Sequence, residues 1–185
     1  MVLIFSPNKK VVFLDGNREV VINPNVMSRA VRAAKISIRS GGGPFGAAIA
    51  DFEGNVIVVA SNGVTKRGDP TRHAEMNAFT KLAGIRRRGG VKDGHIFSNF
   101  VLYSTTEPCP MCASATHWAR LPIVVYGTGI KEAKEAGLGE LEFPMEQLAS
   151  APGSSIKVII PGYMFKENLE IFKMWAELGN QVKNY

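Results

Sequence analysis

Both cysteines of this 185-residue chain fall in one five-residue run, Pro108-Cys109-Pro110-Met111-Cys112. Two thiols three residues apart serve either redox chemistry or a metal, and ligands elsewhere in the chain decide between these. A metal obliges the fold to carry this run to an imidazole distant in sequence. His73-Ala74-Glu75 offers one, together with a carboxylate.

Helix geometry restricts how these residues can meet. On a helix, Cys109 and Cys112 project within about 60° of each other. His73 and Glu75, two positions apart, would point roughly 200° apart in mid-helix, so they share a site only off a helix end. Asp69-Pro70-Thr71 supplies a helix start before the first motif, and Pro108 and Pro110 do so for the second. Two helix N-termini would then converge, and their dipoles favour thiolate over thiol. One imidazole and two thiolates are three zinc ligands, which leaves the fourth tetrahedral position to water. The remaining histidines, His95 and His117, are the candidates for a closed, purely structural site. Zinc brings the pKa of a bound water toward ~7, and Glu75 is placed to accept and pass on its proton.

Around these motifs, apolar strands alternate with helical patterns and no internal repeat is visible. Strands are expected at 45–50, 56–60, 100–103, 123–126 and 156–160, and helices at 25–39 (capped by Asn25), 71–83, 110–119, 132–136 and 167–178. This is an α/β pattern, a mixed sheet covered on both faces. Residues 11–22 read as a β-hairpin around Asp15-Gly16-Asn17. The expected organisation is a hairpin-like extension, 1–24, ahead of a single domain, 25–185. The stretch 143–162 fits no expected element before its final strand.

The net charge of +6 draws in part on Arg86-Arg87-Arg88. A basic balance can mark a nucleic-acid partner. Three arginines after an apolar helix also complement its C-terminal dipole, which is the reading preferred here. The opening Met-Val-Leu-Ile-Phe run stops at Ser6-Pro7, too short for a signal peptide or a membrane span, so a soluble, cytoplasmic protein is expected.

His-x-Glu followed by Pro-Cys-x-x-Cys is the signature of zinc nucleobase deaminases. Over roughly residues 25–140 the chain resembles the cytidine-deaminase-like superfamily, and within it most nearly the bacterial guanine deaminase type. The marks are Gly43-Pro44-Phe45-Gly46, Asn62, Asp69-Pro70-Thr71, His73-Ala74-Glu75, Glu107-Pro108-Cys109-Pro110-Met111-Cys112, Trp118-Ala119-Arg120 and Glu135-Ala136-Gly137. The resemblance implies a three-layer α/β/α fold around a five-stranded mixed sheet, and a homodimer. It implies zinc on His73, Cys109 and Cys112, and Glu75 as proton shuttle. It places Asn62 and Ala74 against the base, with Phe45 and Trp118 as aromatic walls, although both aromatics would also serve as core. It gives Glu140 the part of a second carboxylate facing guanine, with Glu142 as rival. Here that motif reads Ala136-Gly137-Leu138-Gly139-Glu140, with Leu for the usual aromatic and Gly for an acidic residue. The terminal Tyr185 resembles the last tyrosine of a tail that, in that type, can swap onto the partner subunit and reach its active site.

The leading expectation is therefore hydrolytic deamination of guanine to xanthine and ammonia, a step of purine metabolism. A tRNA adenosine deaminase of the same fold is the first alternative. A deaminase of another small ring, such as cytosine or a triazine, and an idle zinc-binding module are the others.

Overall fold

The computed structural model describes residues 2–90 and 97–178. His95 and Tyr185 lie outside the described residues.

Helix α1 (Pro24–Arg39) begins where Asn23 accepts the Asn25 N–H at 3.0 Å on its side chain. The cap is thus Asn23 and not Asn25, because Pro24 suits the first helical position and needs no N–H partner there. Val26, Met27, Ala30, Val31, Ala34 and Ile38 form its buried stripe. Strands β4 (Gly46–Asp51) and β5 (Val56–Ser61) follow as an antiparallel pair. They lie downstream of three short N-terminal strands, β1 (Leu3–Ile4), β2 (Val11–Leu14) and β3 (Arg18–Val21). Next come α2 (Val64–Arg67), α3 (Ala74–Arg88), β6 (Phe100–Thr106), α4 (Pro110–Trp118), β7 (Ile123–Thr128) and α5 (Ile130–Glu135). The chain closes with α6 (Met145–Ser150), β8 (Val158–Ile160) and α7 (Phe165–Glu177).

The main sheet has the order β1-β8-β7-β6-β4-β5. Strands β6, β7, β8 and β1 run parallel, whereas β4 is antiparallel to both β5 and β6. Among the described residues the main sheet has six strands where five were expected. The added one is Leu3–Ile4, which pairs with Val158–Ile159 across nearly the whole sequence. Two residues carry too little periodicity to announce a strand.

Side chains alternate along the central strands of this sheet. Ala48, Ala50, Val101, Tyr103, Ile123 and Val125 face one core, with α1 and the α7 residues Ile171, Phe172 and Trp175. Ala47, Ile49, Leu102 and Val124 face the other, with Ala78, Phe79 and Leu82 of α3, Ala113 of α4 and Met145 of α6. The molecule is a three-layer α/β/α sandwich with a mixed sheet.

The expected hairpin is β2 with β3, turning on Asp15 and Gly16, both at positive φ (52° and 78°). Two such residues make the primed turn that suits strand twist, and Asp-Gly is the pair that tolerates it. Val12, Leu14, Val20 and Ile22 are buried in the same core as α1 and α7. Hydrophobic burial therefore ties the hairpin to the sandwich it precedes.

Candidate active site

The parallel strand β6 ends at Thr106, and Glu107-Pro108 lead directly into α4. Carboxyl ends of parallel strands are where α/β sheets leave room for ligands. Cys109 is the N-cap of α4, with Pro110 at the first helical position and Cys112 in the first turn. His73 is the N-cap of α3, and Glu75 lies in its first turn. Both motifs therefore work from helix starts, as their spacing requires.

Asp69 explains why α3 begins at Ala74 and not at Thr71. Its side chain accepts the Thr71 N–H at 2.9 Å and hydroxyl at 2.6 Å, and pairs with Arg72 Nε at 2.9 Å. A side chain that caps its own neighbours holds the backbone in a turn. The helix is delayed by three residues, and His73 is left at the cap.

His73 Nδ1 lies 3.5 Å from Cys109 Sγ and 3.6 Å from Cys112 Sγ. The ligand atoms of the three residues all lie within 4.8 Å of one another. Ligands of a tetrahedral zinc stand about 3.5–3.8 Å apart, from bond lengths of about 2.1–2.3 Å. The donor set and its spacing fit Zn2+, and it is the one such cluster among the described residues. Neither cysteine is in a disulfide. The Cys112 hydrogen bond, with help from His73, holds the Cys109 thiol down at about 4 despite its burial. Cys109 and burial together push Cys112 well up. Burial opposes charge on His73, but the Cys109 hydrogen bond and the charge of Glu75 outweigh it and raise its pKa. Each of the three ligands gives up its proton to bind a metal, and Cys109 does so most readily.

Glu75 is buried and accepts the Ser104 hydroxyl at 3.0 Å. Burial raises its pKa, against the opposing pull of His73.

A recess opens over this cluster, lined by Phe45, Asn62, His73, Glu75, Thr106, Glu107, Cys109 and Glu140. Six of these were singled out from sequence. Asn62 is buried, and its backbone N–H donates to the Phe45 carbonyl at 3.0 Å. Its Oδ1 accepts the Val64 N–H at 3.0 Å, while its Nδ2 has no hydrogen-bond partner among the described residues. Phe45 is both wall and core, meeting Phe172 edge-on with centroids 6.3 Å apart. Glu140 reaches the recess and Glu142 does not, since Glu142 is exposed and paired with Lys134. Burial, then the charges of Cys109 and Glu75, push Glu140 up to about 6.

Two expected contacts are placed elsewhere in the single chain. Ala74 is fully buried under the recess, between His73 and Glu75. Trp118 is 68% exposed, edge-on to His117, at the end of α4 opposite the cysteines. Eight residues of helix put about 12 Å of axis between the two ends. His117 is committed to the Ser155 N–H, which it accepts at 3.1 Å, so it offers no fourth ligand. Thr106 and Glu107 line the recess without having been singled out for a role; their signal was their place between a strand end and the first cysteine.

This fold and site define a class: an α/β/α protein whose His/Cys/Cys cluster and buried glutamate meet at two helix starts. Residues 22–128 match the cytidine and deoxycytidylate deaminase zinc-binding region, and the chain belongs to that family. It is 34% identical over 164 residues to the guanine deaminase of Bacillus subtilis, covering 84% of this chain and 94% of the relative. It is 30% identical over 156 residues to tRNA-specific adenosine deaminase 2 of Xenopus tropicalis, covering 84% and 89%. Among solved structures, the guanine deaminase of Nitrosomonas europaea aligns over 92% of this chain and 90% of its own, with TM-score 0.72 at 20% identity. That last likeness is one of fold.

Proposed function

We propose that the protein hydrolytically deaminates a free nucleobase, with guanine as the substrate that its recess suits best. The observation that carries this reading is the pairing of opposite functions on the recess wall. Asn62 presents an unspent amide donor, and Glu140 a carboxylate acceptor. Guanine offers acceptors at O6 and N7 and donors at its exocyclic amine and N1, so both protein groups find partners. Adenine and cytosine present a different order of donors and acceptors.

When bound by His73, Cys109 and Cys112, zinc supplies Lewis-acid activation of a water molecule near neutral pH. Glu75 takes a proton from that water as the oxygen adds to the amine-bearing ring carbon, and returns it to the ring nitrogen. A second transfer through Glu75 to the amine releases ammonia, so guanine plus water gives xanthine plus ammonia. Burial beside the ligand cluster puts the Glu75 carboxyl within reach of that proton. The Ser104 hydroxyl holds the carboxyl in line while it changes protonation. Phe45 excludes water from one side of the ring.

The working unit we propose is a homodimer in the cytoplasm, built from the domain 25–185 with its extension 1–24. The exposed Trp118 and Leu141 support association, as apolar surface a second copy would cover. Tyr185 would then complete the site from its own or the partner's tail. A second reading, deamination of adenosine in tRNA, is supported by the Xenopus relative and by the exposed Arg87 and Arg88 on the last turn of α3. Guanine, guanosine, cytosine, adenine and tRNA incubated separately with the zinc protein separate these readings by ammonia release. Guanine turnover is expected; turnover of tRNA alone would reject the small-base reading.

A further inference from the structure

Glu107 has no part in the chemistry above, yet it lines the recess. Its place is rigid. The Glu107 N–H donates to the Thr128 carbonyl at 2.8 Å, which extends the β6–β7 pairing, and Cys109 follows two residues later. Its Oε1 accepts the Met145 N–H at 2.8 Å. Met145 is the first residue of α6. One side chain therefore anchors the far end of the segment 130–145 to the end of β6.

The middle of that segment carries Glu140 into the recess. Residues 138–144 belong to no helix or strand, and Gly137 at φ 83° ends α5. Their backbone bonds are local: Leu138 N–H to the Ala133 carbonyl at 3.1 Å, and Phe143 N–H to that of Leu141 at 2.8 Å. Such bonds fix the shape of a loop and not its position against another element. The bond to Glu107 crosses from the loop's far end to the strand end that leads into the metal helix. A carboxylate suits this task because its oxygens only accept. A glutamine can turn an NH2 toward the Met145 N–H.

We propose that Glu107 is a positioning residue, which ties the start of α6 to the β6 end and thereby sets Glu140 against the substrate. The inference rests on Glu140 being a substrate contact, and it assigns Glu107 no proton transfer.

The test uses the zinc-loaded full chain, steady-state kinetics on its preferred base, and hydrogen exchange. Glu107→Gln, and more strongly Glu107→Ala, should raise KM by about tenfold with zinc content unchanged. Combined with Glu140→Gln, the Glu107→Gln substitution should add less than about twofold, since both act through one contact. Amides of 138–144 should exchange faster in the Glu107 variants, while those of α3 and α4 keep their protection. Effects that multiply in the double variant, or unchanged exchange across 138–144, would overturn the proposal. Unchanged KM in Glu140→Gln alone would reject the Glu140 contact, and exchange would then decide by itself whether Glu107 holds the segment.

Discussion

Three side chains share the proposed chemistry, each set apart by its environment. Glu75 is buried beside the ligand cluster and held by one hydroxyl, so it can exchange a proton without moving. Glu75→Ala should lower kcat by about a thousandfold or more, with zinc still bound. Asn62 is different, because its amide is half spent on the Val64 N–H and only Nδ2 is available to a ligand. Asn62→Ala should raise KM for guanine by about tenfold and leave kcat less affected, since it removes binding and not chemistry. Glu140 carries a pH prediction. Its pKa stands at about 6, so the acceptor charge is present above that pH and lost below it. Guanine KM should rise as pH falls through about 6, and a Glu140→Gln protein should lack this limb. A KM that ignores pH between 5 and 7 in the wild type would contradict the assignment. Glu142, exposed on Lys134, should be replaceable by Gln without effect on KM.

At the scale of elements, the site depends on how closely α1, α3 and α4 approach the sheet. Gly46 opens β4 with its Cα against α1, where an added Cβ would fall 2.1 Å from the Ala30 carbonyl oxygen. Neither backbone can yield there, so Gly46→Ala should destabilise the fold by about 3 kcal/mol in urea denaturation. Much of this level was legible in the sequence. The α1 helix, the strands β4 and β5, the Asp-Gly hairpin and the two metal-binding helix starts follow from periodicity, turn chemistry and ligand spacing. What was not legible has physical causes. β1 is two residues long, and its partner β8 lies at the other end of the chain. α6 is a single short helix behind Pro144, with only Met145 and Ala149 buried, so its pattern is too brief to read. Thr106 and Glu107 became visible only when β6 ended beneath the recess. The reach of Glu140, as against Glu142, was settled by packing that no local pattern encodes.

For the whole molecule, zinc and fold are coupled through the convergence of α3 and α4. Removing the metal leaves two helix starts with two thiols and an imidazole to rearrange, so chelation should lower the melting temperature and added zinc should restore it. Acid should promote the loss, because the ligands bind metal only when deprotonated. No helix among the described residues is long and apolar enough to cross a membrane. The sandwich brings residues 73–75 and 109–112 together on one face of the sheet, and the segment 130–145 carries Glu140 to the same recess. The most direct measurement is ammonia release from guanine by the wild type and by Glu75→Ala, with zinc determined on the same samples. Xanthine and ammonia in equal amounts are expected from the wild type, and a Glu75→Ala protein should keep its zinc and release ammonia about a thousandfold more slowly or less. A Glu75→Ala protein as active as the wild type, or a zinc-loaded wild type that deaminates no nucleobase, would contradict this mechanism.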